Sequence, residues 1–252
     1  MKVFDVYSNY YNLLYKDKNY KGEAAYVSEL LKKYNPSTKT ILDLGCGTGN
    51  HDNHFVEQGY ELTGIDLSEK MIAVAKERFK TVHEIAFLEG DVRTIRLERK
   101  FDAVISLFHV MSYQVSNNDL LSAFETAKVH LNPNGIFLFD CWYGPAVLTD
   151  RPVKRNKQLA DELIEVSRDA EPVMYPNENT VDVNYTVSIR EKNRNETTEL
   201  KETHTMRYLF YPEISFLAKK CGFNLLLAEE WMTGKELSYE SWNACFVLQL
   251  KG

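Results

Sequence analysis

The chain has 252 residues, 44% of them hydrophobic and 26% charged, with a formal net charge of −6. That length suits one large α/β domain carrying an insertion better than two compact domains. The acidic balance excludes a nonspecific nucleic-acid binder, which needs a basic face to displace counterions, and no stretch approaches the run of about 18 apolar residues that a membrane span needs.

The N-terminal segment MKVFDVYSNYYNLLY is too polar and too acidic for a signal peptide, so a cytoplasmic protein without membrane partners is expected. Tyr7, Tyr10, Tyr11, Leu14 and Tyr15, then Tyr26, Leu30 and Leu31 beyond the polar break KDKN, recur at helical spacing, and residues 1–35 read as an N-terminal helical cap closed by Asn35-Pro36. From Thr40 the chain alternates: strand TILDL, helix TGNHDNHFVEQ, strand YELTGIDL, and helix SEKMIAVAKERFK with Ser68 as N-cap. IAFLEGD, DAVISLF and GIFLFD follow as short buried strands, with the helix NDLLSAFETAKVHL between the last two. This rhythm predicts an α/β fold with a doubly wound, mostly parallel sheet covered by helices on both faces.

The rhythm breaks after Asp140. VDVNYTVSI alternates apolar and polar residues with period two, and ELKETHTMRYLF reads as its hairpin partner across the loop EKNRNE. We expect an antiparallel insertion after the fifth strand, residues 142–205, forming a lid over an acceptor site. Residues 36–141 and 206–252 then form the core domain, completed by the helix PEISFLAKKCGF and the strands NLLLAEEW and NACFVLQL. Cys46, Cys141, Cys221 and Cys245 form no C-x-x-C pair, which points to reduced, buried thiols and to neither a zinc ribbon nor a disulfide framework.

The run ILDLGCGTG raises the question of what its glycine turn holds. A dinucleotide site wants G-x-G-x-x-G with pyrophosphate on the helix N-terminus. Here the spacing is G-x-G-x-G and Asn50 stands next. Between positions 41 and 69 there is no Lys or Arg, while Asp43, Asp52, Glu57, Glu61, Asp66 and Glu69 all fall there. A phosphate would meet carboxylates offset only by a helix dipole worth about 0.3 to 1 kcal/mol, so a cation fits the turn better. Asp66 closes the second strand where a carboxylate can accept from both ribose hydroxyls, and Asp91 ends the third, where it can accept from an adenine amine. The ligand so described is an adenosine with a cationic, phosphate-free end, a description that S-adenosylmethionine meets.

DLGCGTG, GIDLS, GDV and DAVISLF, in that order over residues 36–141, resemble the class I S-adenosylmethionine-dependent methyltransferases. The resemblance implies a Rossmann-like sheet, S-adenosylmethionine as cofactor, and a transfer that uses no metal, so His51 and His54 are not expected to be metal ligands. It further implies that Gly45, Cys46 and Gly47 contact the methionine part, that Asp43 faces its ammonium, and that Asp66 and Asp91 hold ribose and adenine. Leu67, Met71 and Val92 would sandwich the ring, with Leu107 and Tyr20 also against the cofactor.

YYNLLYKDKNYKGEA, the insertion and ETHTMRYLFYPE are similar to the methyltransferases that act on amino groups of nucleotide-linked deoxysugars, although that group's histidine after the fourth strand falls at Tyr113 here. The text SLFHVMSYQ after the fourth strand lacks the Asn/Asp-Pro-Pro-aromatic signature of enzymes that methylate bases of nucleic acid. The expected function is methyl transfer to a small-molecule acceptor bearing sugar or phosphate, foremost the amino group of a nucleotide-linked sugar. The rivals are an O-methyltransferase on a sugar, polyol phosphate or capsule precursor and, from another class, a noncatalytic cofactor-binding partner protein. A homodimer is compatible with either enzyme reading. Candidate catalytic residues are His109, Tyr113, His204 and Tyr15, and candidate substrate-binding residues are Tyr11, Tyr15 and Arg207. His109 follows the fourth strand where an acceptor must lie, and a neutral imidazole can take a proton near pH 7. His204 and Arg207, three apart on a predicted strand, face opposite sides. Arg151, Lys154 and Arg155 form a further candidate phosphate seat, against the simpler reading of a solvated loop.

Overall fold

The computed structural model describes residues 13–193 and 196–252; Tyr11, expected at the acceptor site, lies outside them. In chain order the first half comprises α1 (Tyr20–Tyr34), β1 (Thr40–Leu44), α2 (Asn50–Glu57), β2 (Glu61–Asp66), α3 (Glu69–Arg78), β3 (Ile85–Glu89) and β4 (Phe101–Ser106). A 3-10 turn over Val110–Tyr113 leads into α4 (Asn117–Val129), β5 (Leu131–Trp142) and α5 (Gly144–Thr149). β6 (Arg155–Ala160), β7 (Ile164–Tyr175), β8 (Thr180–Glu191) and β9 (Glu196–Arg207) follow, then α6 (Tyr211–Cys221), β10 (Phe223–Glu230) and β11 (Asn243–Leu250).

Seven strands form the main sheet in the order β10-β11-β5-β4-β1-β2-β3. β1 to β5 pair in parallel, and β11 pairs antiparallel with β5 and with β10. The expected mostly parallel, doubly wound sheet is therefore present. Its apolar runs are buried on both faces, as parallel strands under helices require. One face packs Phe137, Phe139 and Phe246 against Phe124 of α4 and Ile214 of α6. The other packs Ile41, Ile105 and Leu138 against Val27 and Leu31 of α1 and Phe55 of α2. Local signals set the helix limits. Asn19 caps α1 by accepting from Gly22 N at 3.0 Å, Ser68 caps α3 by accepting from Met71 N at 3.3 Å, and Gly222 closes α6 in the left-handed conformation.

The insertion differs from its expected form. It is a separate four-stranded antiparallel sheet in the order β6-β7-β8-β9, where the sequence predicts a single hairpin. β6 reads RNKQLA, with no apolar alternation because most of it is exposed, and in β7 Arg168 and Pro172 interrupt the alternation of IEVSRDAEPVMY. The register carries Lys157 opposite Arg168, Arg168 opposite Val187, Tyr185 opposite Glu202, and Val183 opposite His204. Directly paired residues share a face, so these side chains all lie on one side of the second sheet. Val166 and Val187 on that side pack with Leu14 and with Met71 of α3, which fixes the insertion over the carboxyl end of the main sheet.

Candidate active site

β1 has β2 on one side and β4 on the other, and the chain leaves β1 and β4 in opposite directions. A cleft of about 480 Å³ opens at this point, where an open α/β sheet places its ligands. The glycine turn after β1 forms its floor. Gly45 has φ +94°, donates its N–H to the Ile65 carbonyl at 2.7 Å, and would set a Cβ only 2.4 Å from Val110. Gly47, at φ +58°, has open space where a Cβ would stand, so its backbone is bared to the cleft. Asp66 ties this floor to β2: its Oδ2 accepts from Gly47 N and its Oδ1 from Ser68 N, each at 2.9 Å.

The cleft is acidic at its base. Asp43 of β1 lines it, and Asp52, in the first turn of α2, lies fully buried behind it. Burial, followed by the negative charge of Asp52, pushes Asp43 well above the usual carboxylate range, and burial pushes Asp52 up to about 7. Burial also raises Asp66, against the pull of its backbone donors. Asp91 is held differently. Arg93 reaches it through the backbone N–H at 2.9 Å and through Nε at 2.8 Å, extends Nη1 to Asp119 at 2.9 Å, and lowers the Asp91 carboxyl. Leu67, 40% exposed, and the buried Met71 and Val92 give this end an apolar wall. At the opposite rim His51 Nε2 lies 2.6 Å from Glu23, which also pairs with Lys18, and Tyr20 meets the His51 ring edge-on.

The turn after β4 brings a second set of groups. Phe108 and His109 both have positive φ, 62° and 66°, a conformation that costs roughly 1 to 2 kcal/mol per residue. Asp140, at the end of β5 and 1% exposed, offsets that strain: its Oδ1 accepts from His109 N at 3.1 Å, and its Oδ2 lies 2.6 Å from His109 Nδ1. The second contact is close but not aligned with the ring N–H, so it acts as a charge approach more than as a hydrogen bond. The inner face of the insertion roofs this side with Val183, Tyr185, His204 and Met206. Tyr113 OH lies 2.7 Å from His204 Nδ1, Tyr15 packs edge-on against Phe108, and Arg168 stands 4.7 Å above the Tyr185 ring. A second hollow of about 440 Å³ shares Trp142, Val183 and Tyr185 with the first and carries Arg155, Lys157 and Arg168.

The cleft brings together Asp43, Gly45, Cys46, Gly47, Asp66, Leu67, Met71, Asp91, Val92, Leu107 and Tyr20, with Tyr15, His109, Tyr113 and His204. Arg207 does not line it. As the strand phase requires, its side chain leaves the opposite face of β9, where it pairs with Glu213, donates to Asn117 Oδ1 at 2.7 Å and donates to the Val115 carbonyl at 3.2 Å. Of Arg151, Lys154 and Arg155, Arg155 alone reaches the second hollow. Sequence reasoning passed over Asp140, Lys157 and Arg168, and counted Asp52 only among the acids around the turn. Asp140 had a signal, an acid ending an apolar strand as Asp66 does, whereas Lys157 and Arg168 become a pair only through the β6-β7 register.

A fold seat for an adenosine with a cationic end is consistent with these groups: bare glycine backbone and an acidic base at one end, Asp66 in the middle, an apolar wall and Asp91 at the other. The chain matches the family described as "Methyltransferase domain" over residues 41–135. A dTDP-3-amino-3,4,6-trideoxy-alpha-D-glucopyranose N,N-dimethyltransferase of Streptomyces venezuelae is 32% identical over 186 residues, 73% of this chain and 75% of that protein. A putative methyltransferase of Bacillus subtilis (strain 168), YqeM, is 30% identical over 215 residues, 85% of each. A solved S-adenosylmethionine-dependent methyltransferase of Clostridium acetobutylicum ATCC 824 shares the fold with a TM-score of 0.81 over 98% of both chains, at 20% identity.

Proposed function

We propose that this chain, which belongs to the class I S-adenosylmethionine-dependent methyltransferases, methylates the amino group of a nucleotide-linked sugar. The observation that carries the acceptor reading is the placement of His109, braced by Asp140, between the acidic glycine floor and the aromatic roof of the insertion. Likeness to an amino-sugar N,N-dimethyltransferase over most of the chain supports the same acceptor class.

When bound, S-adenosylmethionine supplies an electrophilic methyl group on a sulfonium whose leaving group is neutral. The glycine-turn backbone, bared to the cleft at Gly47, and Asp43 would hold its amino-acid end, Asp66 the ribose and Asp91 the adenine. The chain's remaining task is to hold the acceptor nitrogen in line with the methyl group. Orientation of this kind supplies about 7 to 11 kcal/mol. A sugar amine carries a proton at neutral pH and must lose it before it attacks. His109 takes that proton on Nε2, while Asp140 beside Nδ1 steadies the charged ring. Tyr15, Tyr113, Tyr185 and His204 shape the sugar pocket, and the insertion serves as its lid.

The second hollow supports an anionic handle on the acceptor. It gathers Arg155, Lys157 and Arg168, with Lys157 and Arg168 directly opposite each other across β6 and β7. A diphosphate there would meet these cations, with the attached base against Trp142 or Trp242. The four buried cysteines are unpaired and no helix among the described residues is long and apolar enough to cross a membrane, which suits a cytoplasmic enzyme of sugar-nucleotide metabolism. The test is S-adenosylhomocysteine release with a panel of nucleotide-linked sugars that differ by an amine or a hydroxyl at one carbon. The reading expects the amines to be used at least about tenfold better in kcat/KM. Preference for the hydroxyl partners would replace it with O-methylation.

A further inference from the structure

We infer that Asp52 is a positioning residue for the cofactor: it shares a proton with Asp43 in the free protein, and the cofactor's ammonium expels that proton to solvent when it reaches Asp43. The inference rests on the reading of the cleft as the S-adenosylmethionine site.

The geometry is unusual for two acids. Asp52 is 0% exposed and Asp43 is 2% exposed. Asp43 Oδ1 and both carboxylate oxygens of Asp52 are buried without a hydrogen-bond partner. Native interiors do not leave such groups unsatisfied without a reason, and two ionised carboxylates held together away from water repel strongly. One proton between them turns three orphaned acceptors into a donor and its acceptors. The other groups facing the pair make full ionisation harder still. Asp66 on β2 and Asp140 on β5 add negative charge around Asp43, and the Cys46 thiol in the glycine turn is itself raised by burial and by Asp52, Asp66 and Asp43. Arg78 of α3 acts on Asp52, although its Nη1 is bonded to Asn50 at 2.6 Å. On the α1 side, Lys18 and Glu23 address His51, the neighbour of Asp52.

Only Asp43 of the two reaches the cleft, so an incoming ammonium meets it and not Asp52. The proton balance is then defined. Before binding, the pair carries one proton and one negative charge. After binding, Asp43 is a carboxylate against the ammonium, Asp52 is a carboxylate buried behind it, and the proton has passed to bulk buffer. Cofactor affinity must therefore rise with pH across the titration of the pair.

The experiment is titration calorimetry on the full chain at about pH 6.5, below the usual α-amino range of about 7.7 to 8.0, so that ligand ammonium groups stay protonated. It is run in buffers of different ionisation enthalpy. S-adenosylmethionine and S-adenosylhomocysteine, which share the ammonium, should each release about half to one proton, and 5′-methylthioadenosine, which lacks it, should release none. In the parent, Kd for S-adenosylmethionine should tighten about three- to tenfold per pH unit between about pH 6 and 7. In Asp52→Asn, whose amide can donate to an ionised Asp43, proton release and this pH dependence should both disappear while binding persists. Buffer-independent heats in the parent, or release equal to the parent's in Asp52→Asn, would overturn the proposal while leaving the cofactor reading intact. The comparison with methylthioadenosine needs no variant: equal proton release by methylthioadenosine and S-adenosylhomocysteine would overturn the proposal even if Asp52→Asn does not fold. Failure of all three ligands to bind would overturn the cofactor reading itself.

Discussion

Asp140 supports His109 at two points, its backbone N–H and its ring, and both contacts lie under a turn whose two residues have positive φ. Removing the proposed base and removing its brace should therefore have effects of different sizes. His109→Gln is expected to lower kcat by about 100-fold or more, with S-adenosylmethionine Kd within about threefold of the parent. Asp140→Asn keeps a group beside the turn but loses the charge, and about a tenfold loss in kcat is expected. Steady-state kinetics with calorimetric Kd values separate the two. A large rise in cofactor Kd in either variant would show that the β4 turn serves the cofactor and not the acceptor.

Glu23 gives a pH prediction at the same scale. Burial works to raise its carboxyl, but His51 and Lys18 outweigh it and hold the group at about 2, below its ordinary 4.5. A depressed folded-state value contributes stability above about pH 4.5 and loses it as pH falls toward 2. Glu23→Gln should lower Tm at pH 7, with the gap to the parent closing as the pH is taken down toward 3. A gap that stays constant with pH would show that the Glu23 charge contributes nothing.

Among the elements, the insertion carries two cationic features with opposite meanings. Arg207, at the end of β9, clips the second sheet to the start of α4 and the first turn of α6 through Asn117 and Glu213. It is 6% exposed, and breaking a buried pair by removing one partner costs about 3 to 5 kcal/mol. Arg207→Met should lower Tm markedly and leave acceptor KM, measured below the new melting point, within about twofold. Lys157 and Arg168, by contrast, are a like-charge pair on the inner face. Lys157→Gln and Arg168→Gln should raise KM for a nucleotide-linked acceptor by about tenfold each and flatten its salt dependence, without changing cofactor Kd. A rise in KM for Arg207→Met and none for the inner-face variants would exchange these two assignments.

What the sequence made legible at this scale follows from periodicity. β1 to β5 and their helices were readable because strands covered on both faces are apolar runs bounded by turns, and TILDL, DAVISLF and GIFLFD are such runs. β8 was readable because one face is buried and the other is not. β6 has almost no buried face, and β7 places Arg168 and Pro172 where an apolar residue would continue the pattern, so both escaped. The residues of the proposed cofactor seat were singled out because they sit at fixed positions in strand-end motifs, and the structure brings them to one cleft. The Asp43 and Asp52 pair and the Lys157 and Arg168 pair were not, because each joins two elements whose relative placement the sequence does not state.

At the level of the whole molecule, one sheet places two chemistries on either side of a single switch point. The β1 and β2 ends carry glycine backbone and acids, the proposed seat of a cation, and the β4 and β5 ends carry His109 over Asp140, the proposed acceptor side. The four-stranded insertion, seated on α3 through Met71, closes the space above both and adds cations where the acceptor would extend outward. The net charge of −6 is thereby reversed locally, at the hollow holding Arg155, Lys157 and Arg168. That arrangement makes one central claim, methyl transfer to an amine whose anionic tail lies under the insertion.

The most direct test is a single-turnover reaction of the full chain with S-adenosylmethionine labelled with carbon-13 at the methyl group and a nucleotide-linked amino sugar, followed by carbon-detected NMR. The account predicts an N-methyl resonance growing in step with S-adenosylhomocysteine. A label that appears as an O-methyl group, or that stays on sulfur with every nucleotide-linked amino sugar offered, would contradict it.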